Sequence, residues 1–305
     1  MELGQLRALR ELGDRGSIAA VAAFLRVTPS SVSQQIGALQ RQSAVPLTYK
    51  DGRRTVLTEA GRALAAAAVE VQVALERAQQ AVARFQSEPA GTVSVAAFHS
   101  AGLALFDRLL QRLDEPGLPW VALSDFDVAQ DQFAALTADH DLVIAQRMAG
   151  SRPWPTSVHV EPLLFEPLDI AVRRDHRLAT QSSISPTDLA GEDWVAVHEG
   201  FPLEAAIKQI AAAAGTDARI RHRINEFYVA ARVVAASDCV ALLPRYFGNP
   251  HHDPRLVLLP LSGPPLGRHI DCLSRPETTQ RVNVSTVLTH LHFAAAERVR
   301  ADGVV

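Results

Sequence analysis

Between Ser17 and Thr58 the chain carries two short apolar helical patterns on either side of a tight turn, followed by a basic hairpin signal. No other stretch restricts the possible folds so closely. Ile18, Val21, Ala22 and Leu25 recur at helical spacing, with Ser17 placed as N-cap. Thr28 as cap and Pro29 at the first helical position then open a second helix. Its apolar face is Val32, Ile36 and Leu39, and at about 100° per residue the opposite face carries Ser30, Gln34, Gly37 and Arg41. That face is slim and uncharged until its end, where a solubility helix would show Lys and Glu. Short hydroxyl and amide side chains are what a helix needs to lie in a DNA major groove and read base edges. Upstream, Leu3, Leu6, Leu9 and Leu12 predict a first helix ending near Gly13. Downstream, Leu47–Lys50 and Thr55–Leu57 flank Asp51-Gly52, a short hairpin with Arg53 and Arg54 at its tip. Those arginines suit backbone phosphates or a narrow minor groove; two solvated arginines on a turn would look the same.

Charge is unevenly distributed. The chain of 305 residues has a net charge of −3, yet residues 1–62 carry nine Lys/Arg against five Asp/Glu, so the head is +4 and the remainder −7. A basic head on an acidic body fits a nucleic-acid-binding head. The length accommodates one small and one large domain.

Thr58 is placed to cap a long helix. From Leu64, the positions Leu64, Ala68, Val71, Leu75, Ala78, Val82 and Phe85 alternate by four and three residues, a heptad seam. From Thr58 to Ser87 such a helix spans on the order of 45 Å. A small head cannot cover that seam, so the simplest solution is a second copy of the same helix; packing on the chain's own C-terminal part is the alternative. Pro89-Ala-Gly91 ends the helix and marks a boundary.

Beyond it the pattern alternates between strands and helices. Strands are expected at Thr92–Phe98, Pro119–Ser124, Asp141–Gln146, Glu161–Arg173, Ile220–Ile224, Val240–Leu243, Leu256–Pro260 and Ile270–Arg275. Helices are expected from a Ser100 cap to Leu113, at Val128–Ala138, Glu204–Ala214 and Tyr228–Ala236, and from Asn283 to about Arg300. This is an α/β domain with parallel sheets.

The segment Val27-Thr-Pro-Ser-Ser-Val-Ser-Gln-Gln-Ile36, with Val45-Pro-Leu47, Gly52-Arg-Arg54 and Leu57-Thr-Glu-Ala-Gly61 in the same order, resembles the winged helix-turn-helix of LysR-type transcriptional regulators. Gly91-Thr-Val-Ser-Val95, Asp141-Leu-Val-Ile144 and Val240-Ala-Leu-Leu-Pro244 extend the resemblance to the family's effector-binding half, itself similar to periplasmic solute-binding proteins. The resemblance implies three parts: a winged helix-turn-helix over 1–58, a linker helix over 59–89 that dimerises, and a two-lobed α/β effector domain over 90–305. The chain is expected to cross between lobes near Gln146–Glu161 and return near Leu261–His269, leaving a hinged cleft at the carboxyl ends of strands.

By the same resemblance, DNA contacts fall on Pro29, Ser30, Ser33 and Gln34, with Arg53 and Arg54 in the wing. The family often has Gln-Pro where this chain has Pro29-Ser30, and Arg where it has Gln34; Arg prefers guanine and Gln adenine, so a shifted operator is expected. Ala19, Ala20, Ala23 and Phe24 leave helix 2 without charged groups for phosphate. Effector contacts fall on Ser100, Val128, Gln146, Gly200, Phe201 and Phe227. Gln146 stands where some relatives that bind aromatic acids have a cation. Phe201 and Phe227 fit a partly apolar ligand or core packing, and Asp125 and Asp127 a polar ligand or a solvated loop. The resemblance further implies a double-stranded DNA operator as partner, a homodimer through the linker helix assembling into a homotetramer, and a small-molecule effector of unknown identity.

No catalytic or metal site is expected. G-x-S-x-G, P-loop and G-x-G-x-x-G patterns are absent from the sequence, and His251-His252-Asp253 reads as a polar loop rather than a metal site. Cys239 and Cys272 lie in apolar surroundings, which points to burial; some relatives sense oxidants through a cysteine pair. Without a leader pattern or an apolar run of spanning length, a cytoplasmic protein that is not an enzyme and needs no cofactor is expected. Two other readings remain open from the residues alone: a solute-binding α/β protein with an N-terminal interaction module, and a ligand-independent architectural DNA-binding protein.

Overall fold

The computed structural model describes residues 1–52, 54–83, 91–199, 201–247, 253–263 and 266–302. Its N-terminal head packs three helices, α1 (Leu3–Arg15), α2 (Ile18–Leu25) and α3 (Pro29–Arg41), against a hairpin of β1 (Thr48–Asp51) and β2 (Arg54–Leu57). Both expected caps form: the Ser17 hydroxyl accepts from the Ala20 amide at 3.1 Å and the Thr28 hydroxyl from Ser31 at 3.2 Å. Leu6, Leu9, Leu12, Val21, Val32, Ile36 and Leu39 make one core with Leu47 and Leu57 of the hairpin. Two expectations shift. Helix α1 does not stop at Gly13 but continues to Arg15 and ends on Gly16. Asp51 pairs with Arg54, so Asp51 belongs to β1 rather than to the turn.

Helix α4 (Glu59–Ala83) begins where the Thr58 hydroxyl accepts from the Gly61 amide at 3.0 Å. A Cβ at Gly61 would lie 2.0 Å from the Leu47 carbonyl oxygen, so only glycine allows the helix to press against the hairpin. Of the seam, Leu64 and Ala68 pack into the head core. Val71, Leu75 and Val82 are exposed along the outer helix, and Phe85 lies outside the described residues.

The C-terminal part has two lobes sharing strands. Lobe 1 holds β3 (Thr92–Ala97), β4 (Trp120–Asp125), β5 (Leu142–Met148) and β11 (Gly267–Ser274), covered by α5 (His99–Arg112), α6 (Phe133–Leu136) and α9 (Val282–Asp302). Lobe 2 holds β7 (Asp193–Ala196), β8 (Arg219–Arg223), β9 (Val240–Pro244) and β10 (Leu256–Pro260), with α7 (Pro202–Ala213) and α8 (Phe227–Val234). Strand β6 (His159–Arg173) belongs to both, pairing with β11 over its first half and with β9 and β10 over its second. The strand order is β4-β3-β5-β11-β6-β9-β7-β8, with β10 on β6.

Four sequence-based expectations are corrected here. The sheets are mixed: β3 pairs in parallel with β4 and β5, and β7 with β8 and β9, while β11, β6 and β10 run antiparallel to their neighbours. The first crossing lies inside β6, between Pro167 and Leu168, rather than near Gln146–Glu161, because one extended strand satisfies its backbone in both sheets. The helix expected over Val128–Ala138 shrinks to a 3-10 turn at Gln130–Gln132 and the single turn of α6. Strand β7 is an addition, a buried Trp-Val-Ala run too short to announce itself by alternation.

The head is clasped to lobe 1. Arg275, just past β11, reaches Glu11 of α1 at 2.6 Å and Asp14 at 2.9 Å. Arg15 donates to Glu11 and Asp139 at 2.7 and 2.9 Å and to the Ala138 carbonyl, with its guanidinium 3.7 Å from the Phe24 ring centroid. Arg10 reaches Gln72 on α4 and Glu277 on lobe 1. Phe24 therefore seats a clasp arginine on its ring face.

Glu11 is 1 % exposed. Burial pushes its carboxyl up, but hydrogen bonds and charge from Arg275, with Arg15 beside it, outweigh that and hold it below its ordinary 4.5. Burial raises Asp14 instead, and the pull of Arg275 and Arg10 does not compensate. The Glu11 contribution to the clasp is thus fully present above its unfolded-state value and is lost as pH falls through the lower folded value. Arg275→Ala, which leaves Glu11 buried with less compensation, is expected to cost about 3 kcal/mol and to raise hydrogen exchange across α1. Asp14→Asn is expected to leave α1 protection unchanged or improved. Amide exchange of the two variants at neutral pH checks both.

Candidate functional site

Two surfaces qualify. On the head, Pro29, Ser30, Ser33 and Gln34 are all exposed on one side of α3, away from the buried Val32, Ile36 and Leu39. Arg54 is exposed on β2; Arg53 lies outside the described residues. The opposing placement follows from the helical period alone. Gln35, one residue on, is half-buried at the α1 side and shares a polar groove with Gly4 and Gln5.

The second surface is a cleft of about 630 Å³ between the lobes. Each wall is assembled at the carboxyl ends of parallel strands, where backbone diverges and side chains are free to converge. Lobe 1 contributes Phe98, His99 and Ser100 after β3, Asp125 at the end of β4 with Asp127 beyond it, and Gln146 to Met148 at the end of β5. Lobe 2 contributes Val197, Glu199, Phe201 and Leu203 after β7, and Asn225 to Phe227 after β8. Ser100, Val128, Gln146, Phe201 and Phe227 all line it, while Gly200 lies outside the described residues. Asp125 and Asp127 line it too, both exposed to solvent.

Ser100 does not cap α5. The N-cap is Phe98, which makes no side-chain cap bond, and Ser100 is the second helical residue, 6 % exposed. Its oxygen instead lies 3.5 Å from Arg268 Nη2. Arg268, fully buried on β11, is the cleft's support. Its Nε donates to Glu166 at 2.7 Å, its Nη1 donates to Gln146, and its guanidinium lies 5.0, 5.4 and 6.0 Å from the rings of Phe98, Phe227 and Phe247. Glu166, also fully buried, accepts the Tyr246 and Phe247 amides on its other oxygen at 2.8 and 2.6 Å. Sequence reading missed this pair because Arg268 and Glu166 are separated by 102 positions and sit among ordinary strand residues. Beside it, Arg147 Nε donates to the buried Asp271 at 2.9 Å, which also accepts the Trp154 indole N–H at 2.7 Å.

Among the described residues no group of three or more His, Cys, Asp or Glu is arranged to hold a metal. His251 and His252 lie outside the described residues; Asp253 is held by Arg255 and Arg232, hydrogen bonds to Arg255 depressing its carboxyl far below the usual range. No helix among the described residues is long and apolar enough to cross a membrane.

The family model described as "LysR substrate binding domain" matches residues 86–295, and that described as "Bacterial regulatory helix-turn-helix protein, lysR family" matches residues 3–62. This chain belongs to the LysR family of transcriptional regulators. Among its relatives, the DNA-binding transcriptional dual regulator OxyR of Escherichia coli is 25% identical over 99% of this chain and 97% of its own length. The transcriptional activator CmpR of a Synechocystis species is 24% identical over 97% and 96%. The structure of full-length OxyR from Pseudomonas aeruginosa superposes with a TM-score of 0.64 at 19% identity, covering 95% of this chain and 94% of that one, and so shares the fold.

Within this LysR-family fold the two cysteines sit in the cores of opposite lobes, Cys272 among lobe 1 strands and Cys239 beneath α8. Burial pushes the Cys272 thiol up to about 12, which removes the thiolate an oxidant would attack. Native protein treated with iodoacetamide at pH 8 is expected to stay unmodified at Cys272 and to react there after unfolding. Alkylation of the native thiol, read by mass spectrometry, would contradict this burial-based account.

Proposed function

We propose that this regulator binds an interrupted dyad operator as a dimer of dimers and that a small molecule held between its lobes sets the spacing of its DNA heads. The observation that carries this reading is the convergence of both lobes on one cleft whose lining residues Phe98, Ser100, Gln146 and Phe227 are backed by the buried Arg268–Glu166 pair. A ligand touching both walls has different contacts in open and closed arrangements, which is the requirement for shifting a conformational equilibrium. The clasp between α1 and lobe 1 gives that shift a rigid route to the head.

On the DNA side, Ser30, Ser33 and Gln34 would reach base edges, Pro29 would set the helix start against the backbone, and Arg53 and Arg54 would take phosphates. A relative of the same fold, CbnR, is seen in complex with its target DNA; it is 23% identical, with a TM-score of 0.51 over 97% of this chain. The exposed seam residues Val71, Leu75 and Val82 on α4 support pairing with a second copy through the linker helix. Such a protein works in the cytoplasm, beside the chromosome.

Footprinting on the DNA flanking the protein's own coding sequence tests the reading. A dyad-symmetric protected site whose affinity falls with salt is expected. Arg54→Ala is expected to lower the magnitude of the log affinity–log salt slope by about 0.9 per dyad half, and Gln34→Ala to relax selectivity at one base pair by about 1–3 kcal/mol. If neither that DNA nor a random-sequence selection yields a protected site for folded protein, operator binding is wrong.

A further inference from the structure

The charges around the cleft are unequal once their partners are assigned. Both arginines beside it are matched by buried carboxylates, Arg268 by Glu166 and Arg147 by Asp271. Each positive charge therefore already has its counter-charge in place. Four carboxylates, in contrast, line the opening: Asp125 and Asp127 from lobe 1, Glu199 and Glu226 from lobe 2. Glu199 is paired with Arg223 at 2.9 Å, Glu226 accepts the Val229 amide at 2.8 Å, and Asp125 lies 2.9 Å from His99 Nδ1. Asp127 makes no ion pair or hydrogen bond with the described residues. The opening therefore carries excess negative charge contributed by both lobes.

Donors deeper in the cleft are also left over. An arginine can only donate, so Gln146 must turn its Oε1 toward Arg268, and its Nε2 is left without an acceptor among the described residues. Ser100, more than nine-tenths buried in the cleft wall, has its oxygen toward Arg268 and its hydroxyl proton likewise without an acceptor among the described residues. Both residues line the cleft, where these donors can meet an oxygen from outside the chain. Between donors and carboxylates the lining is aromatic, with Phe98, Phe133, Phe201 and Phe227.

We propose that the cleft takes an arylalkylammonium compound, its ammonium held by Asp127 with the other opening carboxylates around it and its ring among these phenylalanines. An oxygen on the same molecule, as in an aromatic amino acid, would satisfy Ser100 and Gln146. This ligand class rests on the effector-sensing reading of the cleft given above.

The test is thermal stabilisation and titration calorimetry of the full-length protein with three probe sets of matched ring size. Tryptamine and phenethylamine carry only the ammonium; tryptophan and phenylalanine add a carboxylate; indolepropionate and hydrocinnamate carry only the carboxylate. The ammonium-bearing sets are expected to bind and the carboxylate-only set to fail. Asp127→Asn is expected to weaken ammonium binding by about tenfold or more, as for loss of a charged hydrogen bond. Asp127 makes no contact that folding needs, and Ser100→Ala supplies a second variant, expected to weaken tryptophan more than tryptamine. Binding of the carboxylate-only set, or an unchanged affinity in Asp127→Asn, would overturn the ligand class. If indolepropionate also moved the operator footprint, the sensing reading would stand without it. No binding by any set would overturn the ligand class as well, while the salt-dependent footprint of the unliganded protein judges operator binding separately.

Discussion

The buried pair of Arg268 and Glu166 is the contact on which the C-terminal architecture depends. Two charges with no solvent access are tolerable only when each is matched and its remaining hydrogen-bonding groups are occupied. Here Glu166 takes the Arg268 guanidinium and two backbone amides, and Arg268 takes Glu166, Gln146 and the edge of Ser100. The partners come from β5, the start of α5, β6, β11 and the segment after β9, so satisfying the pair fixes where the lobes meet. Gly267, next to Arg268, allows the approach: a Cβ there would come within 2.6 Å of the Glu166 carbonyl oxygen. The same pair lies directly behind the cleft lining, against Ser100, Gln146, Phe98 and Phe227, which ties the meeting point of the lobes to the cleft wall.

The second dependence is the ionic clasp that joins the head to lobe 1. Its arginines are nearly covered, Arg10 at 5 % and Arg15 and Arg275 at 11 % side-chain exposure, so their charges act in a medium less screening than water. A helix that would otherwise be only a scaffold for the recognition helix becomes a lever arm on the sensing lobe. In a LysR-family regulator this places hinge, lobe 1 and DNA head in one mechanical series. The long α4 carries its outer seam residues Val71, Leu75 and Val82 exposed.

The head was legible in the sequence because its determinants are local. Ser17, Thr28, Pro29 and Thr58 announce helix starts within a few residues, and Val32, Ile36 and Leu39 point inward by period alone. The end of α1 misled because Gly13 reads as a stop, whereas packing against Leu57 carries the helix on to Gly16. Five of the six effector positions implied by the resemblance line the cleft, since strand ends fix them. Ser100 lines the cleft but does not cap α5: a serine three residues past a strand looks like a cap until Arg268 comes into view. Pairings such as Glu11 with Arg275, 264 positions apart, leave no periodic trace, and each partner alone resembles an ordinary surface residue. The antiparallel direction of β6, β10 and β11 was hidden for the same reason, because an apolar run states burial but not direction.

The central claim, that Arg268 and Glu166 hold the lobes in one relation, is open to a direct distance measurement. Spin labels at the exposed Gln111 on α5 and Gln209 on α7, with the buried native cysteines replaced or left unlabelled, report the separation of the lobes. A narrow distance distribution in the otherwise native protein that broadens or shifts in Glu166→Gln, with helical content retained, is the predicted result. The same narrow distribution in both proteins would contradict the claim and place the control of the hinge elsewhere.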